Sequence, residues 1–293
     1  MSPCSGGLRA CVFAALLVAL PGIAAQAVVD DDGRSVALAR PAQRIVSLAP
    51  GITEMLFLLG AGERIVAVSE FSDYPLAAQS LPRVARAQAI DLEKIAALQP
   101  DLIVVWGSGY SPVLQQALSG LGVPVYAYEP ASLEAIATSI ERLGTLTASA
   151  RASSISAQFR ALLANLRDRY ALRSPVRVFY QVWARPLMTL SGRHLVSEVM
   201  RTCGARNVFD DLTPLVATVG VESIIAAQPQ VIIAAEPGAV DRGALDFWRR
   251  YPQVPAVARG LLVTLDADEL DRASVRILDA TRALCEQVDR ARH

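Results

Sequence analysis

Histidine is nearly absent from this 293-residue sequence, which contains only His194 and the terminal His293. A zinc site needs several nitrogen or sulfur ligands, and a serine hydrolase needs a histidine base, so neither kind of site has the residues it requires. The GxSxG, HExxH and P-loop patterns are also missing. We interpret His194 as a side chain in the first turn of a helix. The sequence predicts no enzyme, no metal site held by the protein and no resident cofactor.

An excess of charge of either sign is lacking as well. The chain carries 28 basic and 28 acidic side chains, with neither a basic run nor an acidic tail. Nucleic acids and anionic membrane surfaces attract basic patches, so neither is a predicted partner. A small, mostly uncharged molecule is the better candidate.

Long hydrophobic runs are confined to the N-terminus. Arg9 precedes an apolar stretch at residues 10–20, which is too short to span a bilayer, and residues 25–27 form an Ala-x-Ala cleavage pattern. Residues 1–27 are therefore predicted to be a cleaved secretory signal peptide, leaving a soluble, exported chain. A buried N-terminal helix and a lipid anchor on Cys11 are the alternatives.

Cysteine is scarce, and only Cys203 and Cys285 remain once the signal peptide is removed. An even pair of cysteines in an oxidising compartment favours a disulfide over a metal site or a catalytic thiol. Two unconnected buried thiols remain the alternative.

Strand and helix patterns alternate in both halves of the chain. Typical examples are the β-branched run RIVSLAP, the helical pattern GITEMLFLLGAG and the strand LIVVW in the first half, and RVFYQVW, HLVSEVMRTCG, a helix near ALDFWRRY and LLVTL in the second. Short connections between such elements predict parallel sheets. The fold class is therefore α/β, with two Rossmann-like lobes joined by a long rigid connecting helix and a ligand cleft between the lobes.

The predicted lobes are residues 28–131 and 174–293, with a helical connector at residues 132–173. The connector contains little proline or glycine and has apolar residues at helical spacing, for example Phe159, Leu162, Leu163 and Leu166. Because a helical linker is a semi-rigid spacer, the lobes are expected to move little relative to each other.

One motif occurs twice, once in each predicted lobe. EKIAALQPDLIVV begins at Glu93, and ESIIAAQPQVIIA begins at Glu222. Both copies run a short helical stretch through Gln-Pro into an apolar strand, so the second lobe is expected to repeat the first.

Aromatic residues follow predicted strand ends in both lobes, where open α/β sheets bind ligands. Such a cleft, with a few polar groups, suits a large, flat, amphipathic ligand. The residues in question are Phe71, Tyr74, Trp106, Tyr110 and Trp183, together with the polar pair Asp268 and Arg272.

Four stretches resemble the periplasmic cobalamin-binding proteins of cobalamin ABC importers, in the helical-backbone class of substrate-binding proteins. They are RIVSLAPGITEMLFLLGAGERIVAVSEFSDYP, DLEKIAALQPDLIVVW, NVF after Cys203, and LDRASVRILDATRALC. The resemblance covers both lobes, the connector and the cysteine pair. Relatives in the same class carry siderophores or haem.

The resemblance implies that Glu93 and Glu222 are exposed carboxylates that dock onto arginines of a membrane permease, which accounts for the repeat. The simpler alternative is that Glu in a first helical turn is favoured by the helix dipole and needs no partner.

The resemblance also places Phe71, Trp106, Met188, Asp268 and Arg272 in the ligand cleft. The sequence departs from the family pattern, which has Tyr at position 71, Phe at 188, and Trp at the positions of Ala87 and Val216. Losing two tryptophans removes contact surface, which Trp183 and Tyr110 are expected to replace.

We therefore expect a monomeric periplasmic solute-binding protein that captures cobalamin or a related corrinoid and delivers it to an ABC importer, the cobalt arriving inside the ligand. One alternative is the same fold binding haem or a ferric siderophore, although an anionic siderophore would need several cleft arginines and only Arg272 and Arg185 are available. The other alternative is an exported enzyme that uses the Asp268 and Arg272 pair.

Overall fold

The computed structural model describes residues 26–86, 89–240 and 242–293. The predicted signal peptide lies outside these residues except for Gln26 and Ala27, which open the first strand. In the described part of the chain, no helix is both long enough and apolar enough to cross a membrane.

The first half folds around one mixed sheet. Its elements are β1 (Gln26–Val29), β2 (Ser35–Leu38), β3 (Ile45–Ser47), α1 (Pro50–Leu58), β4 (Ile65–Ser69), β5 (Arg83–Arg86), β6 (Ala89–Ile90), α2 (Leu92–Ala97), β7 (Leu102–Trp106), α3 (Pro112–Ser119) and β8 (Val125–Tyr128). The sheet has the order β6-β5-β4-β3-β7-β8, and only the β5–β6 pair is antiparallel. The β1–β2 hairpin forms a separate two-stranded sheet. It turns at Gly33, whose φ of 82° favours glycine.

Two helices then lead into the second half. The elements are α4 (Leu133–Leu146), α5 (Ala152–Tyr170), β9 (Val176–Gln181), β10 (Trp183–Ala184), β11 (Leu187–Leu190), α6 (Leu195–Thr202), β12 (Ala205–Asn207), β13 (Val216–Thr218), α7 (Val221–Ala227), β14 (Val231–Glu236), α8 (Pro255–Ala258), β15 (Leu262–Asp266), α9 (Ala267–Leu270) and α10 (Ile277–Arg290). A fully parallel sheet has the order β12-β9-β14-β15. The predicted α/β class with parallel sheets in two lobes is confirmed.

A second sheet, antiparallel with the order β10-β11-β13, was not predicted. The second lobe is therefore not a plain repeat of the first. The helix expected near ALDFWRRY is a short 3-10 helix at Asp246–Arg250, in which Trp248 is completely buried.

The repeated motif has the same backbone course in both copies. It forms α2 and β7 in the first lobe, and α7 and β14 in the second. Gln99 and Gln228 both adopt left-handed conformations, with φ of 46° and 47°. A left-handed residue directly after a helix ends it and redirects the chain, here into a proline and the following strand.

The connecting helices α4 and α5 pack against each other and belong to a core that extends without a break from the first lobe into the second. Phe159 and Leu163 are buried as expected, but Leu162 is 47% exposed. Glu198 of α6 accepts a hydrogen bond from the backbone N–H of Leu133 and pairs with Arg167, so it joins the second lobe to both helices. The lobe boundaries and the small relative motion of the lobes stay predictions.

Cys203 and Cys285 form a disulfide, with an S–S distance of 2.04 Å. The bond joins the end of α6 to α10, so it lies within the second lobe. This prediction is confirmed.

A buried carboxylate on α1 connects the two lobes. Glu54 accepts from Arg272 Nη1 at 2.9 Å, from Arg276 Nη1 at 3.3 Å and from Ser274 Oγ at 2.8 Å. Its side chain is only 3% exposed. All three donors belong to the segment between α9 and the first turn of α10, which we call the 272–276 segment.

We expect Glu54→Gln to lower the free energy of unfolding by about 3 kcal/mol, because the substitution removes a buried charge on which two guanidinium groups converge. Urea unfolding of the purified protein measures this. The effect is expected near the lower end of the usual range because each arginine keeps another carboxylate partner.

Asp279→Asn is the matched control, since it removes the same kind of charge from an exposed ion pair with Arg282. Its expected cost is below about 1 kcal/mol. Equal losses in the two variants would show that Glu54 does not hold the lobes together.

Candidate functional site

A cavity of about 620 Å³ lies between the two lobes. Parts of β7, β9 and β14, with the segments that follow β8 and α9, surround it, so it opens at the carboxyl ends of both parallel sheets. It is lined by Asp31, Asp32, Trp106, Glu129, Pro130, Ala131, Tyr180, Val182, Trp183, Leu190, Arg193, His194, Leu195, Val196, Leu215, Val216, Ala235, Leu270, Asp271 and Ala273. We call it the interlobe cavity.

A second cavity of about 800 Å³ lies within the first lobe, between α2, α3 and the carboxyl ends of β3, β4, β5 and β7. Phe71, Leu92, Val105 and Leu114 contribute to its mostly apolar lining. Trp106 lines both cavities. This indole therefore forms part of the wall of each cavity.

Trp106 is held from two sides. Its Nε1 donates to Ser108 Oγ at 2.7 Å, and its ring lies against Tyr128 with centroids 6.2 Å apart. A Cβ on Gly107 would lie 2.9 Å from Cβ of Glu129, at the base of that side chain, so glycine leaves the room that Glu129 needs beside the ring. The aromatic ring is thus fixed at the strand end beside a carboxylate.

The unpredicted antiparallel sheet supplies the aromatic surface of the second lobe. Trp183 lines the interlobe cavity and is 63% exposed, and Met188 is its cross-strand neighbour in β11. Val216 of β13 also lines the cavity. A valine there leaves more space in the cleft than the tryptophan that the resemblance would place at this position. Met188 itself does not line either cavity.

Phe71 and Tyr110 take different positions from those expected. Phe71 lines the first-lobe cavity, is 68% exposed and has a left-handed φ of 62°. Tyr110 lines neither cavity and packs on the sheet of the first lobe, with the Arg34 guanidinium 5.5 Å from its ring centroid. Ala87 lies outside the described residues.

Asp268 and Arg272 form an ion pair at 2.7 Å but line neither cavity. Arg272 also contacts Glu54 and, at 3.2 Å, Asp73 of the first lobe. Its guanidinium therefore already has three carboxylate partners. Asp268 and Arg272 are close in the chain to Leu270, Asp271 and Ala273, which do line the interlobe cavity. Their role in ligand binding stays a prediction.

Sequence reasoning missed several polar groups at the cavity. Tyr180 donates its hydroxyl to Asp271 Oδ1 at 3.1 Å. Asp271 is exposed as a residue, but neighbouring protein atoms partly desolvate its carboxyl group, and this raises its pKa to about 6. His194 accepts from the N–H of Val196 at Nδ1, and burial lowers the pKa of its imidazole. No cluster of metal-ligand side chains occurs among residues 26–86, 89–240 and 242–293.

The acidic turn of the β1–β2 hairpin also reaches the interlobe cavity. Asp31 accepts from the N–H of Glu129 and pairs with Arg142 at 2.8 Å, which fastens the turn to the strand end of β8. Asp32 pairs with Arg34 at 3.4 Å. The sequence showed this stretch only as a turn, because docking of the hairpin onto β8 depends on contacts distant in the chain.

Residues 45–269 match the family model described as "Periplasmic binding protein". The chain belongs to the periplasmic binding protein family. Among curated relatives, the vitamin B12-binding protein of Vibrio cholerae serotype O1 is 40% identical over 247 residues, which is 84% of this chain and 88% of the relative. The vitamin B12-binding protein of Yersinia pestis is 37% identical over 251 residues, or 85% and 88% of the two chains.

Solved structures give the same family. The crystal structure of the periplasmic vitamin B12 binding protein BtuF of Vibrio cholerae has a TM-score of 0.79 and 39% identity, and the match covers 86% of this chain and 98% of that one. The periplasmic haem-binding protein RhuT of Roseiflexus sp. RS-1 has a TM-score of 0.75 and 25% identity, covering 86% and 100%. The predicted family is confirmed.

The raised pKa of Asp271 makes stability depend on pH in a defined direction. Below its unfolded pKa near 3.8 the carboxyl is neutral in both states, and as pH rises through about 6 the folded protein has to hold a desolvated charge. We therefore expect the free energy of unfolding of Asp271→Asn, relative to the parent protein, to increase between pH 4 and pH 7.

Urea unfolding across this pH range measures the difference, and asparagine keeps an oxygen that can accept from Tyr180. Asp279→Asn, on the exposed face of α10, is the control: it removes one partner of an exposed ion pair and no desolvated charge, so its difference should not increase with pH. If the difference in free energy of unfolding between Asp271→Asn and the parent does not change with pH, the raised pKa of Asp271 is wrong.

Proposed function

We propose that this periplasmic binding protein captures vitamin B12 or a related corrinoid in the interlobe cavity and delivers it to an ABC importer. The observation that carries the proposal is the match, over 86% of the chain, to the structure of a vitamin B12 binding protein. The exported-enzyme alternative has no support in a family of binding proteins.

The form of the cavities suits such a ligand. A corrin is a broad, nearly flat ring, and Trp106 and Trp183 offer one aromatic surface from each lobe. Large aromatic rings bury much area with few degrees of freedom, which favours them as anchors for flat ligands. The adjoining first-lobe cavity offers room for groups that project from the ring.

Haem and ferric siderophores are the second candidate, since RhuT, at 25% identity, is a haem-binding protein. The propionates of haem and the negative charge usual for a ferric siderophore would call for cationic partners. Arg193 is the one lysine or arginine among the described residues that line the interlobe cavity, and Arg185 and Arg272 are not part of the lining. The charge of the cavity thus favours the corrinoid.

Export and delivery complete the proposal. We infer that the signal peptide is removed after Ala27, that the mature protein acts as a monomer, and that Glu93 and Glu222 dock onto arginines of the permease. Both glutamates are exposed, occupy the second position of α2 and α7, and line neither cavity. Helices that precede parallel strands begin at the carboxyl edge of the sheet, so both lie on the side where the cleft opens.

Replacing Trp106 with Ala should weaken cyanocobalamin binding by roughly 1 to 3 kcal/mol, or about five- to 150-fold in Kd, the range of an aromatic anchor at an interface. Titration calorimetry on the purified mature protein measures this. Titrations with cobinamide and haem in parallel distinguish the ligand classes.

Phe247→Ala is the control, because Phe247 is a half-buried aromatic of the second lobe outside both cavities. Its expected cost is in stability, with ligand affinity unchanged. If Trp106→Ala binds cyanocobalamin as tightly as the parent protein, the ring belongs to the core and the proposed cleft is misplaced.

Charge reversal by Glu93→Arg or Glu222→Arg should impair transport and leave corrinoid affinity intact. Two contacts on one rigid body reinforce each other, so the loss should exceed that of a single surface ion pair, about 1 kcal/mol or less. Calorimetry and uptake into vesicles that contain the permease measure the two properties separately.

Glu63→Arg is the control, since Glu63 is exposed and precedes β4 at the opposite end of the sheet. Normal uptake by the variant that carries both Glu93→Arg and Glu222→Arg would show that the repeated Glu reflects only the preference for Glu in a first helical turn. A loss of ligand binding would place these carboxylates on a different surface from the one proposed.

A further inference from the structure

Two carboxylates in the interlobe cavity have no cationic partner among the described residues. Glu129 follows β8 in the first lobe, and Asp271 follows α9 in the second. The other two acidic residues of the lining, Asp31 and Asp32, are each paired with an arginine. One unpaired acceptor therefore comes from each half of the chain.

In the described part of the chain, no nearby cation forms an ion pair with either carboxylate. Arg193, the cation of the lining, donates its Nη2 to the carbonyl of Thr213. His194 is neutral near pH 7, because burial lowers the pKa of its imidazole. Arg272 is turned towards Glu54, Asp73 and Asp268, and the charge of Asp268 adds to the negative potential at Asp271.

The two carboxylates are placed differently. Gly107 leaves the space that Glu129 occupies beside Trp106. Tyr180 donates to Oδ1 of Asp271, and Oδ2 of that carboxylate has no hydrogen-bond partner in the part of the chain described here. Each group therefore keeps an oxygen that can accept a hydrogen bond from a ligand.

Carboxylates in a partly desolvated cavity bind N–H donors and repel other carboxylates. The rim of the corrin ring in vitamin B12 carries carboxamide groups, whose N–H bonds are such donors. Haem, by contrast, carries two propionates. We propose that Glu129 and Asp271 are specificity residues that select corrinoids with fully amidated side chains and reject ligands with carboxylates at the rim.

This inference rests on the proposed function, and the experiment separates the two. Cyanocobalamin and its separated monocarboxylates, each made by hydrolysing one rim amide, are titrated into the parent protein, Glu129→Gln, Asp271→Asn and the double variant. We expect the parent to bind at least one monocarboxylate about tenfold more weakly than cyanocobalamin, the scale of one unscreened charge repulsion in a cavity.

In the double variant this ratio should fall to about threefold or less, since the repelling charges are gone while the amide and carboxamide groups still hydrogen-bond. Glu63→Gln, which removes one exposed charge at the far end of the sheet, should keep the ratio of the parent. The ratio for the parent should also be smaller at pH 5.5 than at pH 8, a difference that Asp271→Asn should reduce.

Three results have distinct meanings. If cyanocobalamin binds and the double variant keeps the full ratio of the parent, the inference is overturned and the proposed function stands. If the parent binds all the monocarboxylates as tightly as cyanocobalamin, the inference is likewise overturned. If cyanocobalamin binds neither the parent nor any variant, the proposed function itself fails.

Discussion

The buried carboxylate of Glu54 is the contact on which the geometry of the cleft depends. An ionised group that is only 3% exposed would cost several kcal/mol without partners, and here all of its partners come from the other lobe. Side chains alternate along the 272–276 segment and the residue before it. Arg272, Ser274 and Arg276 face Glu54, whereas Asp271 and Ala273 line the interlobe cavity. A single electrostatic requirement on α1 thus sets the position of part of the cavity lining.

Other contacts across the lobe boundary act in the same place. The hydroxyl of Tyr128, at the end of β8, donates to the carbonyl of Ala273. Tyr128 also packs against Trp106, so the aromatic ring that borders both cavities is connected through one side chain to the segment that Glu54 holds. The ion pairs and the aromatic packing therefore lie at the same part of the boundary between the lobes. A change in lobe spacing would move the ligand surface as well as the interface.

Local patterns made most of the fold predictable. Apolar runs between turn residues located β3, β7, β9, β14 and β15. The antiparallel sheet was not predicted because its strands have only two to four residues. In addition, β11 pairs with β13, a strand that lies far along the chain from it. Glu54 was visible only as one charge within an apolar helix. Asp271 and Glu129 follow element ends like many surface residues, and only the folded chain shows that they face one cavity.

The two lobes are alike in the repeated motif but differ in what they contribute to the cavity lining. The repeat forms matching helix-to-strand units, and each presents an exposed glutamate near a helix start. Much of the lining of the second lobe comes from residues 183–216, which supply Trp183, Leu190, Arg193, His194 and Val216. This stretch includes the antiparallel strands β10, β11 and β13, which have no counterpart among the described residues of the first lobe. The duplicated framework thus gives two equivalent exposed glutamates, one in each lobe. The additional strands make the cavity surface of the second lobe different from that of the first, so the interlobe cavity is asymmetric although the framework around it is repeated.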